Sequence, residues 1–119
     1  MNDSVKNHID NPAGDIETVI GRDTNIIGGL EGSGNIRIDG TIDGDVSITG
    51  NMVIGKSGCV QGNIRTGNLT LDGMVTGNVD CDGTLSIQAN GSIVGDIRVR
   101  SLNITNGGVF KGRREMFPI

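Results

Sequence analysis

The residues whose types and spacing first suggest chemistry are three aspartates in the run DGTIDGD, Asp39, Asp43 and Asp45, because carboxylates separated by glycine can wrap a calcium ion. Their order does not match an EF-hand loop, and Gly40 and Gly44 recur at matching places elsewhere, so the run is read as structural turns. The two cysteines, Cys59 and Cys81, read as unpaired thiols, Cys59 facing outward beside Val60 and Cys81 in the core. His8 is the single histidine and lies near the start of the chain. No Ser-His-Asp or Cys-His set can therefore form in the part with regular patterning. No GxxxxGK[ST] phosphate loop is present, and the GxGxxG-like glycines do not lead into a helix.

The elements that must carry these residues come from a repeat. The phrases GTIDGDV, GCVQGNI, GMVTGNV, GSIVGDI and GVFKGRR begin at Gly40, Gly58, Gly73, Gly91 and Gly108, at spacings of 18, 15, 18 and 17 residues. Each winding holds three apolar beats of period two, for example Val75, then Val79 with Cys81, then Leu85 with Ile87. The third beat gives the register: Ile36, Met52, Leu69, Leu85 and Leu102 lie 16, 17, 16 and 17 apart, with Ile38, Ile54, Leu71, Ile87 and Ile104 two residues behind. Such columns belong to a parallel β-helix, an all-β solenoid of about five to six triangular turns stacked at ~4.8 Å. The Gly-Asp and Gly-Asn pairs at Gly44, Gly62, Gly77 and Gly95 mark one corner, where glycine adopts conformations closed to other residues and Asp or Asn tolerates unusual angles. An outward column of Ser47, Arg65, Asp80 and Arg98 sets Asp80 between two arginines.

Composition agrees. Among 119 residues there are 21 glycines and two aromatics, Phe110 and Phe117, which suits a narrow core of Val, Ile and Leu. The net charge of -4, with no basic face and no aromatics to stack bases, argues against nucleic acid. Neither a signal-peptide-like start nor a run of about 18 apolar residues is present, so a cytoplasmic location is expected. Residues 1–17 read as a disordered tail, 18–112 as the β-helix and 113–119 as a short C-terminal tail.

Phe110 falls in the column of Ile42, Val60, Val75 and Ile93, and after Gly112 the pattern stops. Phe110 and Val109 are thus expected at one open end of the rod, and Val19, Ile20, Ile26 and Ile27 at the other, as a polymer interface. The tail RREMFPI has two readings. It folds back as a cap, or Arg113, Arg114, Met116, Phe117 and Ile119 touch an anionic membrane surface.

The run TVIG...TNIIGGLEGSGNIRIDGTIDGDV, the repeated GxVxG[DN]V and the final GVFKGR resemble the bactofilins, bacterial polymer-forming cytoskeletal proteins, over roughly residues 18–113. The resemblance implies a right-handed β-helix and a non-enzymatic function. It also implies end-to-end homopolymers assembled without nucleotide, metal or other cofactor. Such polymers scaffold cell-wall synthesis or remodelling proteins and cell shape, and can lie peripherally under the inner face of the cytoplasmic membrane. Two other classes remain as alternatives. VIGRDT and VIGKSGCV resemble single units of the hexapeptide-type β-helix acyltransferases, but the six-residue period is not sustained and no histidine in the coil could act as general base. An adhesive or ice-binding solenoid would want repeated outward threonine, whereas the column Val53, Thr70, Ser86, Asn103 is mixed.

Overall fold

A computed structural model describes residues 18–116 of the chain. All regular structure in it is strand, paired in parallel, and it winds through six turns. The first coil comprises β1 (Thr18–Ile20), β2 (Asn25–Ile27) and β3 (Leu30–Gly32). The second comprises β4 (Ile36–Ile38), β5 (Thr41–Asp43) and the first half of β6 (Val46–Ile54). The second half of β6 opens the third coil, followed by β7 (Cys59–Gln61) and the first half of β8 (Ile64–Leu71). The rest of β8 opens the fourth, followed by β9 (Met74–Thr76) and β10 (Val79–Cys81). The fifth is β11 (Thr84–Ile87), β12 (Ser92–Val94) and β13 (Ile97–Val99), and the sixth β14 (Ser101–Ile104), β15 (Val109–Lys111) and β16 (Arg114–Met116).

Each coil crosses three faces in the same order, so β1, β2 and β3 begin the first, second and third faces. The strands on each face lie one turn apart, and the predicted columns hold residue for residue: Ile36 under Met52 under Leu69, and Ile42 under Val60 under Val75. These side chains form one core, with Ile38, Ile54, Leu71, Ile87, Val60 and Val75 all fully enclosed. One member of the core is polar. Thr66 sits between Ile48 and Cys81 and is buried, and its hydroxyl oxygen lies 3.1 Å from the Gly50 carbonyl oxygen. That bond satisfies the hydroxyl, which removes most of the cost of burying it.

The three corners differ. Between the third face and the next coil's first face, β6 and β8 run on unbroken, and the bend is taken up by a register shift between Ile48 and Asn51. The corner from first to second face varies in length: two-residue turns at Asp39-Gly40 and Asp72-Gly73, four-residue turns at 21–24, 55–58, 88–91 and 105–108. This accounts for the uneven 15- and 18-residue spacings. The corner from second to third face is uniform, and Gly77 shows why. Its φ is +141°, and a Cβ there would collide with the carbonyl oxygen of Gly62 one turn below.

The repeat analysis ends the coil at residue 112, with no further strand. The structure continues it: β16 pairs with β13, placing Arg114 over Ile97, Glu115 over Arg98 and Met116 over Val99. An arginine at an inward position hides this strand from an apolar-alternation search, and Arg114 is tolerated there because no described coil lies above it. The N-terminal tail expected over residues 1–17 and the last three residues, including Phe117 and Ile119, lie outside the described residues.

Candidate assembly site

A column of identical side chains is sealed from water only where another coil lies on each side. In the column Ile38, Ile54, Leu71, Ile87, Ile104, the first four are fully buried and Ile104 is 47% exposed. Ile87 and Ile104 are the same residue type; only the neighbour is missing. Phe110 over Ile93 and Leu102 over Leu85 are likewise half-buried at this end, with Met116 exposed beside them. At the opposite end Ile20, Ile26 and Leu30 pack half-buried against the core. The strands that carry these residues, β14, β15 and β16 above and β1, β2 and β3 below, each have a paired strand on one side only among the described residues. Both ends therefore combine open backbone donors and acceptors with unsealed apolar core, a combination that favours pairing with another chain.

Alternation within each strand divides the residues expected at the ends. Ile20, Ile26 and Phe110 point along the core columns, as the interface reading requires. Val19, Ile27 and Val109 occupy outward columns and are 59%, 87% and 41% exposed, so they stand at the rim of each end. Leu30, Leu102, Ile104 and Met116 belong to the ends as well. Following each apolar column to its last member identifies the first three, whereas Met116 belongs to the strand that the arginine conceals.

The residues of the RREMFPI segment that the structure describes form neither a folded-back cap nor a free tail. Arg113 takes the corner, its backbone N–H donating to Asp96 Oδ1 at 3.1 Å. Glu115 faces outward with Oε1 3.7 Å from Arg98 Nε. Arg114 and Met116 point toward the rod end, so the basic and apolar residues of this segment do not line up on one outward surface.

The corner aspartates and asparagines have a role beyond tolerating unusual angles. The Asn63 N–H donates to Asp45 Oδ1 at 2.9 Å, that of Asn78 to Asn63 Oδ1 at 3.1 Å, and that of Asp96 to Asn78 Oδ1 at 3.1 Å. Each side chain thus accepts the backbone donor of the coil above, making a ladder along the rod. A second ladder runs where third face meets first: Asn51 N–H donates to Asn35 Oδ1, Asn68 Nδ2 to Asn51 Oδ1, and Thr84 N–H to Asn68 Oδ1.

The carboxylates that resemble a calcium loop are dispersed by the same geometry. Asp39 is held by Arg37 at 2.9 Å, Asp45 serves the corner ladder, and Asp43 faces outward between Ile27 and Gln61. Among the described residues no group of three or more His, Cys, Asp or Glu is placed to hold a metal ion. Both cysteines are free, Cys81 buried and Cys59 half-buried. Burial pushes the Cys81 thiol up to about 12, with the neighbouring Asp80 and Asp82 carboxylates adding to the effect, so it remains a protonated core side chain. Among the described residues no helix is long and apolar enough to cross a membrane.

A family model described as Bactofilin, polymer-forming cytoskeletal, matches residues 18–115. No curated protein and no solved structure matches the chain.

Proposed function

Because the chain belongs to the bactofilin family, we propose that its rods stack through their ends into filaments that need no nucleotide. The observation that carries this reading is the column in which Ile87 is fully buried and Ile104, one coil above it, is 47% exposed. A subunit stacked on β14, β15 and β16 would bury Leu102, Ile104, Phe110 and Met116 and pair three open strand edges, while the long Arg114 side chain at the start of β16 would carry its charge out to water past the adjoining corner. At the other end Ile20, Ile26 and Leu30 are available for the same purpose, with Val19, Ile27 and Val109 at the rims. Burial of apolar surface supplies the driving force, at roughly 25 cal/mol per Å² removed from water.

Such a polymer has a structural rather than catalytic role. It presents the three outer faces of its subunits repeatedly, which suits a scaffold for cell-wall synthesis or remodelling proteins at the inner face of the cytoplasmic membrane. Phe110→Arg tests the joint. It leaves the coil folded, because Phe110 lies in the last coil, and it sets a charge in a dry joint at a cost of about several kcal/mol. Negative-stain microscopy of purified protein without nucleotide should show filaments for the unmodified chain and none for Phe110→Arg. Filaments from the variant would place the joint elsewhere.

A further inference from the structure

The outer surface of the third face carries a charge pattern that matches its own reverse. Its central outward column reads Arg65, Asp80, Arg98, Glu115 over the third to sixth coils, one residue per turn. The corner column beside it reads Asn63, Asn78, Asp96, Arg113 over the same coils. Both columns border one shallow groove along the rod. On the far edge lie Asp82 in the fourth coil and Arg100 in the fifth, with Arg100 Nε donating to the Asp82 carbonyl oxygen at 3.0 Å.

A second copy laid face to face and antiparallel is related to the first by a two-fold axis along the strand direction. With that axis between the fourth and fifth coils, the fourth coil meets the fifth of the other copy and the third meets the sixth. Asp80 then faces Arg98, Arg65 faces Glu115, and Asp82 faces Arg100, each twice by symmetry. The corner columns bring Asn78 to Asp96 and Asn63 to Arg113, so every corner charge meets an amide. No like charges oppose one another. A parallel pair related by a two-fold axis would set each charge of the central column against its own copy, and sliding one rod by a turn gives an arrangement that does not close on itself. In the central column Asp80 and Arg98 already have opposite charges above and below, as where Arg98 meets Glu115 at 3.7 Å, yet the Arg98 and Glu115 side chains stay 53% and 71% exposed and can take a further partner across the joint.

We infer that the third face is a lateral contact with a second copy of this chain, antiparallel and centred between Asp80 and Arg98. The six exposed ion pairs of one joint, each worth ~1 kcal/mol or less, hold a dimer at low salt, and on the end-stacking reading a filament repeats them into a bundling contact.

The two readings are separated by using the full chain with Phe110→Arg, which blocks end stacking. In sedimentation this chain should be a dimer at low salt. It should be a monomer near 1 M salt, where the screening length is about 3 Å. Adding Asp80→Arg should weaken the dimer by about tenfold or more, and Asp80→Arg with Arg98→Asp should restore it. The exchanged column has two cations beside two anions within each chain, so restoration can come only from pairing across the two-fold. In the chain with native Phe110, microscopy should show paired filaments, and single ones for Asp80→Arg. A monomer at every salt concentration, indifference to Asp80→Arg, or failure of the double exchange to restore pairing overturns the proposal. If Phe110→Arg still polymerises, the stacking joint is wrong, and filament width in the Asp80 series still decides the lateral contact.

Discussion

Ile87 and Ile104 occupy one column, on the same face, in adjacent coils, yet one is fully buried and the other 47% exposed. The corner glycines repeat the contrast. Gly28 in the first coil and Gly77 in the fourth both have left-handed backbones, at φ +122° and +141°, but a Cβ at Gly28 meets nothing within 4 Å whereas one at Gly77 strikes the Gly62 carbonyl. In a stacked coil, position along the axis decides what a residue costs or contributes. Interior coils are constrained from both sides and end coils from one.

Substitutions at paired positions test that rule. Gly77→Ala should be the most damaging, since backbone strain and a backbone collision combine to cost about 3 kcal/mol or more. Gly28→Ala should cost only the conformational part, about 1 kcal/mol. Equal losses for the two in thermal unfolding would break the comparison. Ile87→Ala, which opens a cavity in the closed core, should cost about 2–5 kcal/mol. Ile104→Ala, measured in the stacking-blocked Phe110→Arg background, should cost less than about 1 kcal/mol while weakening filaments in the native background.

Cys81 and Cys59 extend the contrast to reactivity. Cys59 should react with an alkylating reagent in the folded protein, and Cys81 only on unfolding, because the thiolate is the reactive form. The folded pKa of Cys81 is raised above its ordinary 9.0 to about 12, so its contribution to stability is full below pH 9. It is lost as pH climbs from 9 toward 12, where the unfolded chain releases a proton that the folded chain keeps. Cys81→Val should flatten that alkaline decline in chemical denaturation. A small effect is expected from Asn78→Ala, which removes one acceptor from the corner ladder. The Asp96 N–H is exposed enough to find water, so the loss should be about 1 kcal/mol.

The core columns were legible in the sequence because period-two alternation survives every change in turn length. Thr66 was not, since alternation sorts residues by polarity and a threonine whose hydroxyl is satisfied by the Gly50 carbonyl oxygen behaves as an apolar one. The strand Arg114–Met116 was hidden for the converse reason: in the single rod the inward position of Arg114 lies open to water, so its charge is not desolvated there. The corner ladder could be located but not explained, because its donors and acceptors lie 15 to 18 residues apart and meet only once the coil pitch is known. Of the candidate assembly site, Phe110, Ile20 and Ile26 were readable as column ends. Leu30, Leu102 and Ile104 required each column to be followed to its last member.

The corner ladder also has a mechanical consequence. Its hydrogen bonds, like those between the strands, run along the rod from coil to coil. Tension applied at the two ends therefore loads the bonds between adjacent coils together, on all three faces and at the corners. To pull the rod apart, a whole coil must separate from the next, whereas a hairpin peeled from one end yields one pair at a time. A filament built from such rods would resist stretching through the same bonds that hold each subunit folded.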